Sequence, residues 1–389
     1  MPRLISQQLA VRRQRVQKEI PMKVTTTAGK LLAIVASVTG IIARANTLPI
    51  LGNVLIKCEA DSVSVTGTDL EVTVRTRSEM SEIEDGASTI PAAKLVSILG
   101  ALPEAAKITL STSDTDSSAI LKAGKSRYSL RTLPYEDYPT TVLKSEALGG
   151  VKLLATDLKA ALERVASFMA VNDVRYCMNG MFIDTILDGV RMVATDGHRM
   201  SKVDVACEGE KRLSRGIIVP GKTVKLVLRL LPKSGDVKII EYENVVLFDL
   251  GDTKIHSKTI AAQYPDYKRV LPERDELTTV NRSLLLDALS RGAILCNERF
   301  RAVTLFPQAG RIVIRSTNES QEEGEEEVEA AVPKTASCAS GFNVDYLLGA
   351  VQVAKGDDLR LGFAGADASL LFLDSTCSSW RAVVMPMRV

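Results

Sequence analysis

The segment NVLIKCEADSVSVTGTD at 53–69 returns as NGMFIDTILDGVRMVATD at 179–196 and, more faintly, as AVTLFPQAGRIVIRSTN at 302–318. Each copy reads as an apolar strand, a turn, an alternating strand and a closing Thr-Asp or Thr-Asn. The anchors Asp69, Asp196 and Asn318 fall 127 and 122 residues apart. A long fixed period means that one supersecondary unit is used repeatedly, which restricts the fold more than composition can.

The same spacing recovers the rest of the unit. An amphipathic helix precedes each strand pair: Leu31, Leu32, Val35, Thr39 and Ile42 in the first copy, Leu158, Ala161, Leu162, Val165 and Met169 in the second, Leu284, Leu285, Ala288 and Leu289 in the third. A second short helix follows each pair, in PAAKLVSIL (91–99), PGKTVKLVLRLL (220–231) and NVDYLLGAV (343–351), and further strands such as VKIIEY and LRLGF come after it. Helices set between runs of short alternating strands predict an α+β fold, with antiparallel sheets and helices on one face. Prolines and polar residues interrupt the periodicity at LPYEDYP (133–139) with the following KSEALGG, and at QYPDYKRVLP (263–272). The expected domains are therefore 22–148, 149–270 and 271–389.

Residues 1–21 stand apart, with Arg3, Arg12, Arg13, Arg15 and Lys18 against Glu19 alone. This basic leader is expected to be disordered or to reflect an upstream start, since Met22 opens the first repeat; a basic arm and an organellar presequence share its composition.

A chain of 389 residues with 46 % apolar and 25 % charged residues has the balance of a soluble globular protein, and no apolar run approaches the roughly 20 residues of a membrane span. A net charge of +2 supplies no global basic field, so any hold on DNA needs a local basic surface or a topological device. Six scattered cysteines form no CxxC pair, which favours a reducing cytoplasm. With two histidines and no Cys/His cluster, no metal site is expected.

GIIVPGKT, 216–223, matches the P-loop spacing of a glycine, four residues and Gly-Lys-Thr. The alternative it raises is an NTPase using Lys222 and Thr223, with Asp249 at the end of VVLFD on magnesium. Against this, the four variable residues Ile-Ile-Val-Pro are themselves strand-like, the polar GEKRLSR occupies the place of the preceding strand, and the equivalent STIPAAKL and GFNVDYLL carry no Gly-Lys-Thr. The stretch reads as a structural joint between strand and helix. Beyond it, Lys222, Lys225 and Arg229 share one helical face while Val224, Val227, Leu228 and Leu231 cover the other. Such a stripe is a solvated face unless it lines a DNA channel, where it would contact phosphates without regard to sequence.

TLPILGNVLI, TGTDLEV, DVRYCMNGM, VATDGHRM, YPDYKRVLP, NERFRAVTL, GFNVDYLL and VVMPMRV, in this order, resemble the bacterial DNA polymerase III beta subunit, the replicative sliding clamp, over Met22 to Val389. The resemblance implies three clamp domains per subunit, a homodimeric ring with sheets outside and helices lining the bore, and sequence-independent encirclement of duplex DNA. It implies a non-enzymatic, cytoplasmic processivity factor without a cofactor, serving the replicative polymerase catalytic subunit, the clamp loader, and other polymerases and repair proteins that dock short peptides.

By the same resemblance the DNA-facing residues are Arg44, Asn172, Arg175, Tyr176, Lys222, Lys225 and Arg229. The partner-peptide groove falls on Met178, Thr195, Gly197, His198, Arg199, Met200, Pro265, Arg269, Val270, Asn343, Tyr346, Val383, Met385, Pro386, Met387 and Arg388. The subunit joint falls on Tyr128, Leu130, Ile294 and Leu295. Methionines suit such a groove because they adapt to different apolar side chains. Taken singly, His198 reads as a packed histidine, VVMPMRV as a last strand with a frayed tail, and Glu322–Glu329 as a solvated loop or charged sheet edge. The family pattern is broken at Cys177, Met178 and Val389, and by the leader, leaving a specialised or duplicate clamp open.

Overall fold

The computed structural model describes residues 21–42, 48–112, 117–141, 143, 145–207, 213–214, 216–333 and 339–388. Most of the leader, Arg44, Cys338 and Val389 lie outside the described residues. The chain forms two compact units, Met1–Glu146 with Leu247–Ser257, and Ala147–Val246 with Lys258–Val389.

In the first unit, α1 (Ala28–Thr39) begins at Thr27, whose hydroxyl accepts from the Lys30 amide, and buries Ala28, Leu31, Ile34, Val35 and Val38. Leu32, Thr39 and Ile42 are half-buried, so the apolar stripe is centred nearer Ile34 and Val38 than the sequence reading places it. The shorter α2 (Ala92–Gly100) buries Ala92, Leu95 and Leu99. One antiparallel sheet has the order Glu82–Glu84, Lys23–Thr27, Lys107–Thr112, Ser118–Ala123, Ser126–Arg131. A second runs from Gly86–Pro91 through Asn53–Glu59 and Ser62–Thr68 to Val72–Glu79. Thr253–Ser257 pairs with Val72–Thr76, and the Thr76 and Thr253 hydroxyls lie 3.1 Å apart. A segment of the second sequence copy thus belongs to the compact unit of the first.

The second unit contains α3 (Ala155–Val165), α4 (Gly221–Leu230), α5 (Arg282–Gly292) and α6 (Val344–Val353). On α3 the expected Leu158, Ala161, Leu162 and Val165 are buried; on α5 Leu285, Ala288 and Leu289 are buried but Leu284 is exposed. Twelve strands make one antiparallel sheet, in which Arg199–Lys202 of the second copy pairs with Arg381–Val384 of the third. This pairing merges the two copies into one body. Beneath it, Arg164 of α3 meets Asp374 at 2.8 Å, and both side chains are buried. Arg164 also lies 5.3 Å from the Trp380 ring centroid, and the Trp380 indole donates to the Ser201 hydroxyl at 3.0 Å.

The repeat has a local physical basis. In all three copies the hairpin has two seven-residue strands: Asn53–Glu59 with Ser62–Thr68, Gly180–Ile186 with Gly189–Thr195, and Ala302–Gln308 with Arg311–Thr317. Its closing Asp or Asn folds back as an acceptor. Asp69 Oδ1 takes the amides of Glu71 and Val72, Asp196 Oδ1 those of His198 and Arg199, and Asn318 Oδ1 those of Ser320 and Glu322. Such side-chain turns favour Asp and Asn by offering the turn amides an acceptor. The next residue adopts positive φ in two copies, +74° at Leu70 and +89° at Gly197.

The glutamate run forms Glu323–Ala331, paired along Arg311–Thr317 but flanked on its other side, by Thr279 and Val280, only at Ala330 and Ala331. Its glutamates pair with Arg291, Arg311 and Arg315. Among the described residues no helix is long and apolar enough to cross a membrane.

Candidate functional site

A cavity of about 140 Å³ opens in the second unit, lined by Met178, Thr195, Gly197, Arg199, Met200, Pro265, Asp266, Tyr267, Val270, Val383 and Met385. Its floor is a packed cluster containing Val193, Met200, Ile218, Tyr264, Tyr267, Leu371 and Val383, with Cys177 and Phe182 against it. Phe182 stacks on Tyr264 at 4.8 Å, and the Tyr267 hydroxyl donates to Asp184 at 3.0 Å. Met200 and Val383 are direct cross-strand partners, so the sheet joint forms one wall. Val270 and Met385 at the mouth are each about two-fifths exposed, leaving apolar surface accessible to a ligand.

Polar contacts shape the rim. Asp196 Oδ2 accepts from Arg199 Nε at 3.0 Å, and Arg199 Nη2 donates to the Ser167 carbonyl at 2.7 Å. The Arg199 guanidinium lies 5.1 Å from the Phe168 ring and 4.9 Å from the Tyr346 ring, and His198 stacks on Tyr346 at 5.9 Å. His198 lends its carbonyl to the Met385 amide at 2.8 Å, which tethers the mouth strand.

Nine of the sixteen groove residues read from the sequence line this cavity. Of the others, His198 and Tyr346 form the adjoining ring pair; Asn343 caps α6, accepting from Asp345 and Tyr346; and Arg269 is exposed and pairs with Asp266. The Met387 amide donates to Gly341, Pro386 is half-buried and Arg388 exposed. The sequence reading missed Asp266 and Tyr267, although YPDYKRVLP contains both between residues it selected. It also missed Asp196 as the organiser of Arg199.

The basic residues divide. Lys222, Lys225 and Arg229 are all exposed along α4, whose buried side is Thr223, Val224, Leu226 and Val227, with Leu228 half-buried. Leu226 therefore takes the core place expected of Leu228. Tyr176 is exposed, and Asn172 sits at φ +57°. Arg175, by contrast, is engaged with Asp173 through Nε at 2.9 Å and Nη2 at 2.7 Å. These hydrogen bonds hold the Asp173 carboxyl well below the usual carboxylate range.

At the expected subunit joint, Ser126–Arg131 is an edge strand on which Tyr128 is half-buried but Leu130 points into the core of its own unit. Ile294 is 78 % exposed, and Leu295 is half-buried near Gly324.

The nucleotide alternative fails on geometry. Ile217–Pro220 is a strand paired with Gly180–Ile183, and α4 begins at the next residue, so no loop is available to wrap a phosphate. Thr223 is fully buried, which removes its hydroxyl as a magnesium ligand. A hollow of about 410 Å³ beside this strand, between Gly216–Ile218, Asn244 and Thr259–Ala262, has no charged side chain in its lining.

Repeated hairpins joined into long antiparallel sheets, with an apolar cavity where the second and third copies meet, are the arrangement of a sliding clamp. Models of the N-terminal, central and C-terminal domains of the DNA polymerase III beta subunit match residues 22–142, 152–266 and 268–388. The beta sliding clamp of Pseudomonas putida is 36 % identical over 373 residues, covering 95 % of this chain and all of the relative; that of Escherichia coli K12 is 35 % identical over 372 residues, with the same coverage. The crystal structure of a Pseudomonas aeruginosa sliding clamp bound to griselimycin superposes with a TM-score of 0.91 at 34 % identity, over 95 % of this chain and 100 % of that one. The chain belongs to the DNA polymerase III beta subunit family, and it is a DNA sliding clamp.

Proposed function

We propose that this clamp works as a homodimeric ring closed around duplex DNA, holding the replicative polymerase catalytic subunit and other DNA enzymes on the template without catalysing a reaction itself. Its domains are 22–148, 149–270 and 271–389, and its place of work is the bacterial cytoplasm. Encirclement accounts for the small net charge, because a ring held by topology must slide and needs only weak phosphate contacts. Lys222, Lys225 and Arg229 make those contacts, and Tyr176 touches DNA from its exposed loop.

The observation that carries the partner-binding half is the methionine-lined cavity, whose open apolar mouth suits an extended peptide with a large apolar anchor. The clamp loader, the replicative polymerase, and other polymerases and repair proteins compete for it through short segments of this kind. Negative-stain imaging of the protein alone is expected to show closed two-subunit rings with an open centre. Compact particles lacking a hole would overturn the encirclement mechanism.

A further inference from the structure

The 171–176 loop carries the exposed Val171, Val174 and Tyr176, and its one arginine, although itself exposed, is bound back onto the chain through the Asp173 carboxylate and the Asp196 carbonyl. Asp173 is itself braced, its amide donating to Asn179 Oδ1 at 2.9 Å and its carbonyl accepting from Asn179 Nδ2 at 2.8 Å. From this fixed carboxylate the Arg175 guanidinium reaches across to the Asp196 carbonyl, with Nη2 to O at 3.1 Å. It packs so closely on Gly197 that a Cβ there would lie 2.8 Å from Nη1. On its other side, the Arg175 carbonyl accepts from the Met178 amide at 2.9 Å. Met178 and Gly197 both line the cavity, so one residue touches two parts of its lining.

We propose that Arg175 is a positioning residue for the partner groove: held by Asp173, it fixes the Asp196–Gly197 turn in the shape the rim requires, and is not a phosphate contact. This rests on the groove reading above. The turn needs such a fixture because Gly197 sits at φ +89°, a conformation with many neighbours of similar energy for glycine. Asp196 then transmits the position onward, since its carboxylate holds Arg199 against Phe168 and Tyr346. A planar fork that binds a carboxylate with two nitrogens and a carbonyl with one of them cannot be replaced by a lysine.

That last point gives the test. Griselimycin affinity would be measured by calorimetry for the full-length wild type and for R175K, R175A and D173N, with thermal melting as the control for folding. Both R175K and R175A are expected to weaken binding by about fivefold with an unchanged melting temperature. D173N should weaken it in the same direction while strengthening retention of a short duplex DNA at low salt, because it releases the guanidinium. Lysine rescue, with R175K at wild-type affinity for griselimycin and for duplex while R175A loses the duplex, would overturn the proposal and return Arg175 to the phosphate contacts. A rim variant, M385R, separates the two readings: griselimycin binding that ignores M385R would remove the groove reading and this inference with it, whereas loss in M385R but not in the Arg175 variants would remove this inference alone.

Discussion

At the residue scale, the most consequential side chain outside the groove is Asp374. Burial would raise its carboxyl, but amides of Lys355 and Thr376, the Thr376 hydroxyl and Arg164 overcome this and hold it at about 2. A carboxyl depressed in the folded state contributes stability above its unfolded pKa near 3.9 and loses it as pH falls through the folded value. The shift amounts to roughly 2 kcal/mol, so chemical denaturation between pH 5 and pH 2 should show a progressive loss of this order. D374N should destabilise by about 3 kcal/mol at neutral pH, because it strands the Arg164 charge in the interior, and should remove this share of the acid sensitivity. A variant as stable as wild type at pH 7 would show that the pair contributes nothing net. The pair was illegible in the sequence: its members stand 210 positions apart and carry no spacing signal.

At the element scale, α4 shows what a motif can and cannot say. Its burial pattern follows from helical periodicity, and the exposure of Lys222, Lys225 and Arg229 could be read directly from their spacing. The same letters match a P-loop only in spacing, and the reading as a structural joint agrees with Gly221 at a tight packing site, 3.2 Å from the Asn179 carbonyl by the position its Cβ would occupy. Each phosphate contact contributes a slope of about −0.9 in the logarithm of affinity against salt, so K225A with R229A is expected to weaken duplex binding and reduce that slope by about 2. An unaltered slope would place α4 away from DNA. Elements that escaped the sequence reading are the short strands Lys23–Thr27, Gly149–Leu154 and Thr278–Asn281, which run straight into α1, α3 and α5. Four to six residues abutting a helix leave too little alternation to register.

At the scale of the whole molecule, the threefold repeat was legible because its anchors are local: an Asp or Asn that folds onto amides two to four residues ahead leaves the same letters in each copy. The residues that line the cavity were brought together in the sequence reading only through family resemblance, since its walls come from stretches that periodicity treats as unrelated strands and turns. Self-association belongs to this scale as well. Ile294 is the more decisive probe of the proposed ring joint, being 78 % exposed, whereas Leu130 is buried and its replacement would first damage its own unit. I294D should leave the melting of the monomeric fold within about 0.5 kcal/mol of wild type while shifting sedimentation from dimer to monomer; a variant that stays dimeric at nanomolar concentration would move the joint elsewhere.

The pairing of Arg199–Lys202 with Arg381–Val384 closes a loop of some 180 residues, and Met200 and Val383 meet only once it has closed. Pairings so distant along the chain form slowly and late, after the local hairpins are in place. A chain caught before that moment has its two halves of the pocket on separate surfaces and offers neither half as a complete site. On the proposed partner-groove reading, recruitment is therefore also an inspection of maturity: an enzyme that finds this pocket has met a clamp in which this distant pairing is already made.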